Sequence, residues 1–101
     1  MNIRLRNNWE NIGEERWNWE VYLDSDNPKD LFAVKEVKYI LHPTFSNPIR
    51  VVRQRKGGFK LKTSGWGIFL IKAFVYLLDG EKIKLEHMLE LHYEPKKGTS
   101  P

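Results

Sequence analysis

Apolar and polar positions alternate with a period of two along much of this chain. In the segment 17–23 the apolar side chains fall on one side of an extended backbone, at Trp17, Trp19, Val21 and Leu23. A second segment alternates in the same way, at Val37, Tyr39 and Leu41. This pattern predicts two strands that each bury one face. Because the period changes between Val34 and Val37, we expect an irregularity there.

The second half of the chain carries the strongest hairpin signal. Two apolar series flank the turn sequence Asp79-Gly80, at Phe69, Ile71, Ala73, Val75 and Leu77 before it and at Ile83, Leu85, Leu89 and Leu91 after it. Between Pro48 and Leu61 we predict a short strand around Val51 and Val52, a turn at Gly57-Gly58, and a further strand through Phe59 and Leu61. The segment 24–30, with Asn27-Pro28, is predicted as a turn-rich connection.

Six or more short strands without intervening helices indicate an antiparallel β-sandwich or barrel. A chain of 101 residues has room for one compact domain. The segment 94–101, rich in Lys, Gly, Ser and Pro, is predicted to be a flexible tail or linker after a domain that spans residues 1–93.

Composition excludes several classes of site. With no cysteine, the chain has no disulfide, thiolate zinc site or cysteine nucleophile. His87 and His92 would lie on opposite faces of one strand, and Thr44 and Ser46 lack a nucleophile motif. We therefore expect no metal, no cofactor and no enzymatic activity. His87, in register with Leu85, is predicted to sit at the edge of the core with a satisfied ring nitrogen.

Charge and hydropathy give weaker information about partners. No apolar run approaches the ~20 residues of a membrane span and the N-terminus lacks a secretory signal, so we expect a cytoplasmic protein, or a nuclear one if the source is eukaryotic. The formal net charge is +4. Basic residues cluster around the double glycine, and their alternation favours a solvated edge hairpin over a nucleic-acid site, leaving nucleic acid a weak candidate partner. They are Arg50, Arg53, Arg55, Lys56, Lys60 and Lys62.

Two further segments do not follow core packing. The segment 41–48, LHPTFSNP, is bounded by prolines that stiffen a loop holding an imidazole, a hydroxyl and an aromatic ring. The segment 63–69, TSGWGIF, places Trp66 between two glycines. A large ring in a glycine turn is useful where its face meets a partner. The alternative is that Phe45 and Trp66 cap the end of the sandwich.

These two segments carry a resemblance to a known family. LHPTFSNPIRVV, GFKLKTSGWGIF and LEHMLEL, in this order, resemble a YEATS domain over residues 17–91, most closely the prokaryotic branch. The resemblance implies an immunoglobulin-like sandwich of about eight antiparallel strands, with the two segments together at one end. In eukaryotic members that end binds an acylated lysine between two aromatic rings.

The resemblance also implies a site and roles within it. Phe45 and Trp66 would form the walls of an aromatic slot for acetyl- or crotonyl-lysine. Thr44 would accept the amide N–H, and the backbone N–H of Trp66 would donate to the acyl oxygen. The residues implied for acyl-lysine binding are His42, Thr44, Phe45, Gly65, Trp66, Gly67 and Phe69.

In this assignment His42 orients the Thr44 hydroxyl, Gly65 and Gly67 keep the slot open, and Phe69 lines its far side. One departure concerns the inner end of the slot: eukaryotic readers often carry an aromatic residue where this chain has Gly13-Glu14-Glu15-Arg16. We therefore expect that end to differ, and a prokaryotic chain would meet a partner other than a histone tail.

Two other functions stay open on sequence grounds. The first is a scaffold or interaction domain without a pocket, belonging to a larger prokaryotic signalling protein. The second is sugar binding by exposed tryptophans, which is the weaker because Trp17 and Trp19 are predicted to face the core.

Overall fold

The chain folds into two four-stranded antiparallel sheets packed face to face. The computed structural model describes residues 2–92 and the backbone of 98–99. The strands are β1 (Ile3–Gly13), β2 (Arg16–Ser25), β3 (Val34–Ile40), β4 (Ile49–Val52), β5 (Leu61–Gly65), β6 (Leu70–Leu77), β7 (Lys82–Met88) and β8 (Gly98–Thr99). One sheet has the order β5-β2-β1-β8 and the other β4-β3-β6-β7. This confirms the predicted all-β, immunoglobulin-like sandwich of about eight strands.

The core lies between the inner faces of the two sheets. In β2 the alternating side chains of Trp17, Trp19, Val21 and Leu23 are all buried, as predicted. They meet a matching row from β6, at Ile71, Ala73, Val75 and Leu77. Each strand thus contributes one apolar face to a common interior, because successive side chains point to opposite sides.

Two local predictions are confirmed. The register between β3 and β6 shifts between Val34 and Glu36, where the sequence changes period. β6 and β7 form the predicted hairpin, with Gly80 at φ 93°, in the left-handed region that glycine enters without steric cost.

The predicted edge hairpin between β4 and β5 is wrong. β4 pairs with β3 in one sheet and β5 pairs with β2 in the other, so the chain between them crosses from sheet to sheet. The crossover contains a short helical turn, α1 (Lys56–Phe59), with Gly57 at φ 73° and Gly58 at φ 80°. Phe59, which was predicted to lie in a strand, belongs to this turn instead, and its side chain is buried.

Two other elements are absent from the sequence predictions. β1, the longest strand, occupies the N-terminal segment and pairs with β2 along its length. A 3-10 helix (Pro28–Ala33), whose first turn is capped by the Asn27 side chain, stands where only a turn-rich connection was expected. No helix of the described residues is long and apolar enough to cross a membrane.

The predicted tail at 94–101 lies outside the described residues except for Gly98 and Thr99. The backbone of these two residues pairs with Trp9 and Asn8 of β1. The predicted boundary of the domain at residue 93 stays a prediction.

Candidate functional site

The loop at 41–48, here called the aromatic loop, is held at both ends by β3 and β4 of one sheet. The Leu41 N–H donates to the Pro48 carbonyl at 2.7 Å, which closes the loop at its base. Arg50 then clamps it, donating to the carbonyls of Asn47 at 2.6 Å and Ser46 at 3.1 Å. These contacts fix the loop that carries Thr44 and Phe45.

Within this loop His42 and Thr44 form a local hydrogen-bonded pair. The Thr44 backbone N–H donates to His42 Nδ1 at 3.2 Å, so this ring nitrogen is an acceptor. The Thr44 hydroxyl lies 2.9 Å from the same nitrogen and must therefore donate its proton to it. The Thr44 oxygen keeps lone pairs that can accept a hydrogen bond. The contact between His42 and the Thr44 hydroxyl that the resemblance implies is present, and its role in ligand binding stays a prediction.

The segment 65–69, here called the glycine segment, leads from β5 of one sheet to β6 of the other. Trp66 at its tip is 70% exposed. A Cβ at Gly65 would lie 3.5 Å from the edge of the Phe45 ring, whereas one at Gly67 would meet nothing within 4 Å. Of the two glycines, Gly65 is the one whose missing side chain leaves room beside Phe45.

The aromatic loop and the glycine segment enclose one cavity of about 370 Å³. It brings together all seven residues that the sequence resemblance named. The full lining is Arg16, His42, Thr44, Phe45, Ser64, Gly65, Trp66, Gly67, Ile68 and Phe69. Two of these, Ser64 and Ile68, were missed although they adjoin the Gly-Trp-Gly sequence. Arg16 belongs to the segment 13–16 that the resemblance marked as different at the inner end of the slot, and the pairing of β2 with β5 brings this residue into the lining.

The two aromatic walls differ in their surroundings. The Phe45 ring packs against Phe69, with centroids 5.4 Å apart, and against Trp19 at 6.3 Å in an edge-on arrangement. Among the ring contacts of the described residues, none joins Phe45 to Trp66. Phe45 is thus anchored on the core, while Trp66 projects freely beside the cavity.

Among the described residues that line the cavity, none carries a carboxylate. Its side chains are aromatic or aliphatic, apart from the Thr44 and Ser64 hydroxyls, the His42 imidazole and the Arg16 guanidinium. Such a surface suits an uncharged planar group with one donor and one acceptor.

The basic residues around Gly57-Gly58 are largely engaged within the fold. Arg53 pairs with Glu36 at 3.4 Å and Lys60 pairs with Glu20 at 3.3 Å. The Arg55 guanidinium lies 4.8 Å from the centroid of the Phe32 ring. Since β4 and β5 lie in different sheets, the six residues do not share one hairpin face.

Other candidate sites offer less chemistry. A second concave surface, of about 460 Å³, lies over the outer face of β1, β2 and β5 and is lined mainly by polar side chains such as Asn8, Glu10 and Asn18. Within residues 2–92, no group of three His, Asp or Glu side chains lies close enough to hold a metal ion. Three of the four tryptophans, Trp9, Trp17 and Trp19, are buried, which leaves little aromatic surface for stacking a sugar.

Known proteins with similar sequences are found in fungi and in a plant. The transcription initiation factor TFIID subunit 14 of Schizosaccharomyces pombe is 37% identical over 81 residues, covering 75% of this chain and 33% of that protein. The protein AF-9 homolog of Kluyveromyces lactis is 32% identical over 78 residues, covering 73% of this chain and 34% of that protein. The chain therefore spans about a third of the length of these relatives.

Solved structures agree with the fold. The crystal structure of the yeast AF-9 homolog protein Yaf9 superposes with a TM-score of 0.79 at 25% identity, covering 97% of this chain and 76% of that one. The Yaf9 YEATS domain bound to H3K27ac gives a TM-score of 0.76 at 24% identity, covering 97% and 78%. The family model for the prokaryotic YEATS domain matches residues 17–90. The chain belongs to the prokaryotic YEATS domain family.

Proposed function

We propose that this chain is a non-enzymatic binding module that recognises acylated lysine, acetyl or crotonyl, in a peptide or protein. The ligand side chain enters the slot between the aromatic loop and the glycine segment, and its amide stacks between Phe45 and Trp66. The observation that carries the proposal is Trp66, a large ring that is 70% exposed beside a cavity without carboxylates.

Hydrogen bonding at the slot supports an amide ligand. The Thr44 hydroxyl donates a hydrogen bond to His42, so its oxygen is free to accept one from the N–H of the acylated lysine. The Trp66 backbone N–H donates to the acyl oxygen. Each half of the amide then has a partner, which matters because an unpaired polar group costs about 1–3 kcal/mol when it is buried.

Acylation itself favours binding on electrostatic grounds. The ammonium group of an unmodified lysine would lose its hydration on entering the slot, where no carboxylate of the described residues replaces the water. Attraction to an aromatic face, worth ~0.5–2 kcal/mol, does not offset that loss. An acyl amide carries no charge and stacks flat on the rings. A crotonyl chain stays coplanar with its amide, so we expect it to bind at least as tightly as acetyl.

The relatives support this direction. The Yaf9 YEATS domain has been crystallised bound to H3K27ac, and a second structure shows the Yaf9 YEATS domain recognising an H3K122suc peptide. The chain spans only about a third of the length of these fungal proteins, so their partners are not carried over to it.

A scaffold domain without a pocket is the second candidate, and the packing of Phe45 favours it. This ring lies on Phe69 and Trp19, as expected of a cap over the end of the core. The exposure of Trp66 argues against it, because a capping ring would be covered. The two functions differ in what Trp66 does.

Titration of one lysine peptide in crotonylated, acetylated and unmodified forms, followed by NMR shifts, tests the proposal. We expect both acylated forms to bind, shifting Thr44, Phe45 and Trp66, and the unmodified form to bind more weakly. Trp66→Ala should abolish these shifts and change the free energy of unfolding by less than about 1 kcal/mol, since an exposed ring contributes little packing.

Leu78→Ala is the matched control. Leu78 is 66% exposed, close to the exposure of Trp66, and lies in the β6–β7 turn at the opposite end of the sandwich. It should leave acyl-lysine binding intact. Equal binding of the unmodified peptide, or a loss of several kcal/mol of stability in Trp66→Ala, would favour the scaffold.

A further inference from the structure

Arg16 stands at the end of the slot that the sequence marks as different. The pairing of β2 with β5 ends at Trp17 and Gly65, so the next positions, Arg16 and Trp66, face each other across the end of the ladder. The Arg16 carbonyl accepts a hydrogen bond from the Asn11 side chain at 3.2 Å, which holds its backbone. Arg16 is one of the residues that line the same cavity as Phe45 and Trp66.

The Arg16 charge is not neutralised within the described part of the chain. No carboxylate of residues 2–92 lies within ion-pairing distance of its guanidinium. The nearest acidic residues in sequence, Glu14 and Glu15, are exposed in the turn before it. Arginine stays charged at every physiological pH and offers five N–H donors in a fork that fits a carboxylate.

A single charged residue in an otherwise uncharged slot favours some acyl groups over others. An amide stacked between Phe45 and Trp66 directs its acyl chain along the cavity that Arg16 also lines. A chain that ends in a methyl group leaves the guanidinium to water. A chain that ends in a carboxylate meets a charged donor there, and no lining carboxylate repels it.

We propose that Arg16 makes this slot select lysine acylated with a dicarboxylic acid, such as succinyl- or glutaryl-lysine, over acetyl-lysine. The inference rests on the proposed acyl-lysine function and names the substrate class of the same site. Because Arg16 is exposed, the gain is modest. Succinyl-lysine should bind about two- to fivefold more tightly than acetyl-lysine, the range of an exposed ion pair.

Isothermal titration calorimetry measures the affinity of the protein for one peptide in two forms, carrying succinyl-lysine or acetyl-lysine. The readout is the ratio of the affinity for the succinyl form to the affinity for the acetyl form. Arg16→Gln removes the charge at similar length and should bring the ratio to about one or below. Arg16→Lys keeps the charge and should keep part of the preference. Raising the salt concentration should lower the ratio for the parent protein and leave it unchanged for Arg16→Gln.

Two further measurements distinguish the proposed contact between Arg16 and the acyl carboxylate from two alternatives. An acetylated peptide with an aspartate beside the lysine tests whether a carboxylate on the peptide backbone serves equally. Measurement at about pH 8.5, where an ordinary imidazole is neutral, tests whether His42 supplies the charge instead. A ratio that persists at this pH, together with no Arg16-dependent gain from the aspartate, supports the proposal.

Other outcomes overturn it. Acetyl-lysine binding with a ratio near one in the parent protein, a ratio unchanged by Arg16→Gln, or a preference lost at high pH would each exclude Arg16 as the selecting residue while leaving the acyl-lysine slot in place. Absence of binding to every acylated peptide would instead remove the proposed function itself.

Discussion

The side-chain oxygen of Asn7 lies 2.7 Å from Nε2 of His87, and this hydrogen bond joins the two sheets. Asn7 belongs to β1 and is fully buried, while His87 belongs to β7 of the other sheet. The same oxygen accepts the Glu90 N–H at 3.1 Å, and the Asn7 amide donates to the Glu90 carbonyl at 2.8 Å. His87 thus has the satisfied ring nitrogen that its place in the sequence predicts.

The stability of the fold should depend on pH through His87. Burial lowers the pKa of His87, with the nearby Glu90 acting weakly in the opposite direction. The unfolded chain then binds a proton that the folded chain resists, so stability should fall as pH drops below about 6.5. Melting temperatures between about pH 7.5 and pH 5 measure this dependence.

His87→Gln should flatten that dependence, whereas His42→Gln, which removes an exposed imidazole from the aromatic loop, should leave it largely in place. An equally steep fall in His87→Gln would mean that other groups set the pH response.

Gly58 should tolerate substitution less than any other glycine of the crossover and hairpin turns. Its φ is 80°, and a Cβ there would overlap the Leu23 carbonyl oxygen. Gly58→Ala should lower the free energy of unfolding by at least about 3 kcal/mol, measured by urea denaturation. Gly80→Ala is the control, because φ is 93° but the space is open. It should cost only the ~1–2 kcal/mol of backbone strain, and equal losses would argue against the clash.

The width of the slot should depend on Gly65. Gly65→Ala places a methyl group against the Phe45 ring, at 3.5 Å, and should weaken acyl-lysine binding several-fold without unfolding the protein. Gly67→Ala adds the same methyl group in open space and should change affinity by less than about twofold. NMR titration of the two variants decides the matter. A larger loss in Gly67→Ala would mean that the ligand lies on the other side of Trp66.

The Thr44 hydroxyl should be worth about one hydrogen bond to the ligand. Thr44→Val keeps the shape of the side chain and removes the acceptor, so affinity for acetyl-lysine should fall about three- to tenfold. Thr44→Ser keeps the acceptor and the contact with His42, and should retain most of the affinity. Calorimetry measures both. Equal binding by the valine variant would show that the amide N–H is satisfied elsewhere.

Local patterns sufficed for the strands whose inward positions are mostly apolar. β2, β3 and the β6–β7 hairpin follow directly from alternation and from Asp79-Gly80. β1 was missed because Asn7 interrupts its apolar series, and the shortest hydrogen bonds of this buried amide reach groups that lie 80 and 83 residues away. No local signal announces such a long-range partner.

The prediction of a hairpin at Gly57-Gly58 was wrong for a different reason. Gly57 and Gly58 specify a reversal through their positive φ values, but a reversal serves a hairpin and a crossover equally. The site was accessible through the family resemblance, which named seven of its lining residues. The resemblance pointed to the segment 13–16 at the inner end of the slot, and the β2–β5 register then singles out Arg16 as the position next to Trp66.

The crossover between β4 and β5 has a mechanical consequence. Phe45 hangs from a loop tied at both ends to one sheet, whereas Trp66 extends from β5 of the other. A ligand side chain held between these rings contacts both sheets of the sandwich and links them. A bound ligand should therefore oppose movement of one sheet relative to the other. Resistance to proteolysis and the melting temperature should both rise when the slot is occupied, even though neither measurement probes the slot directly.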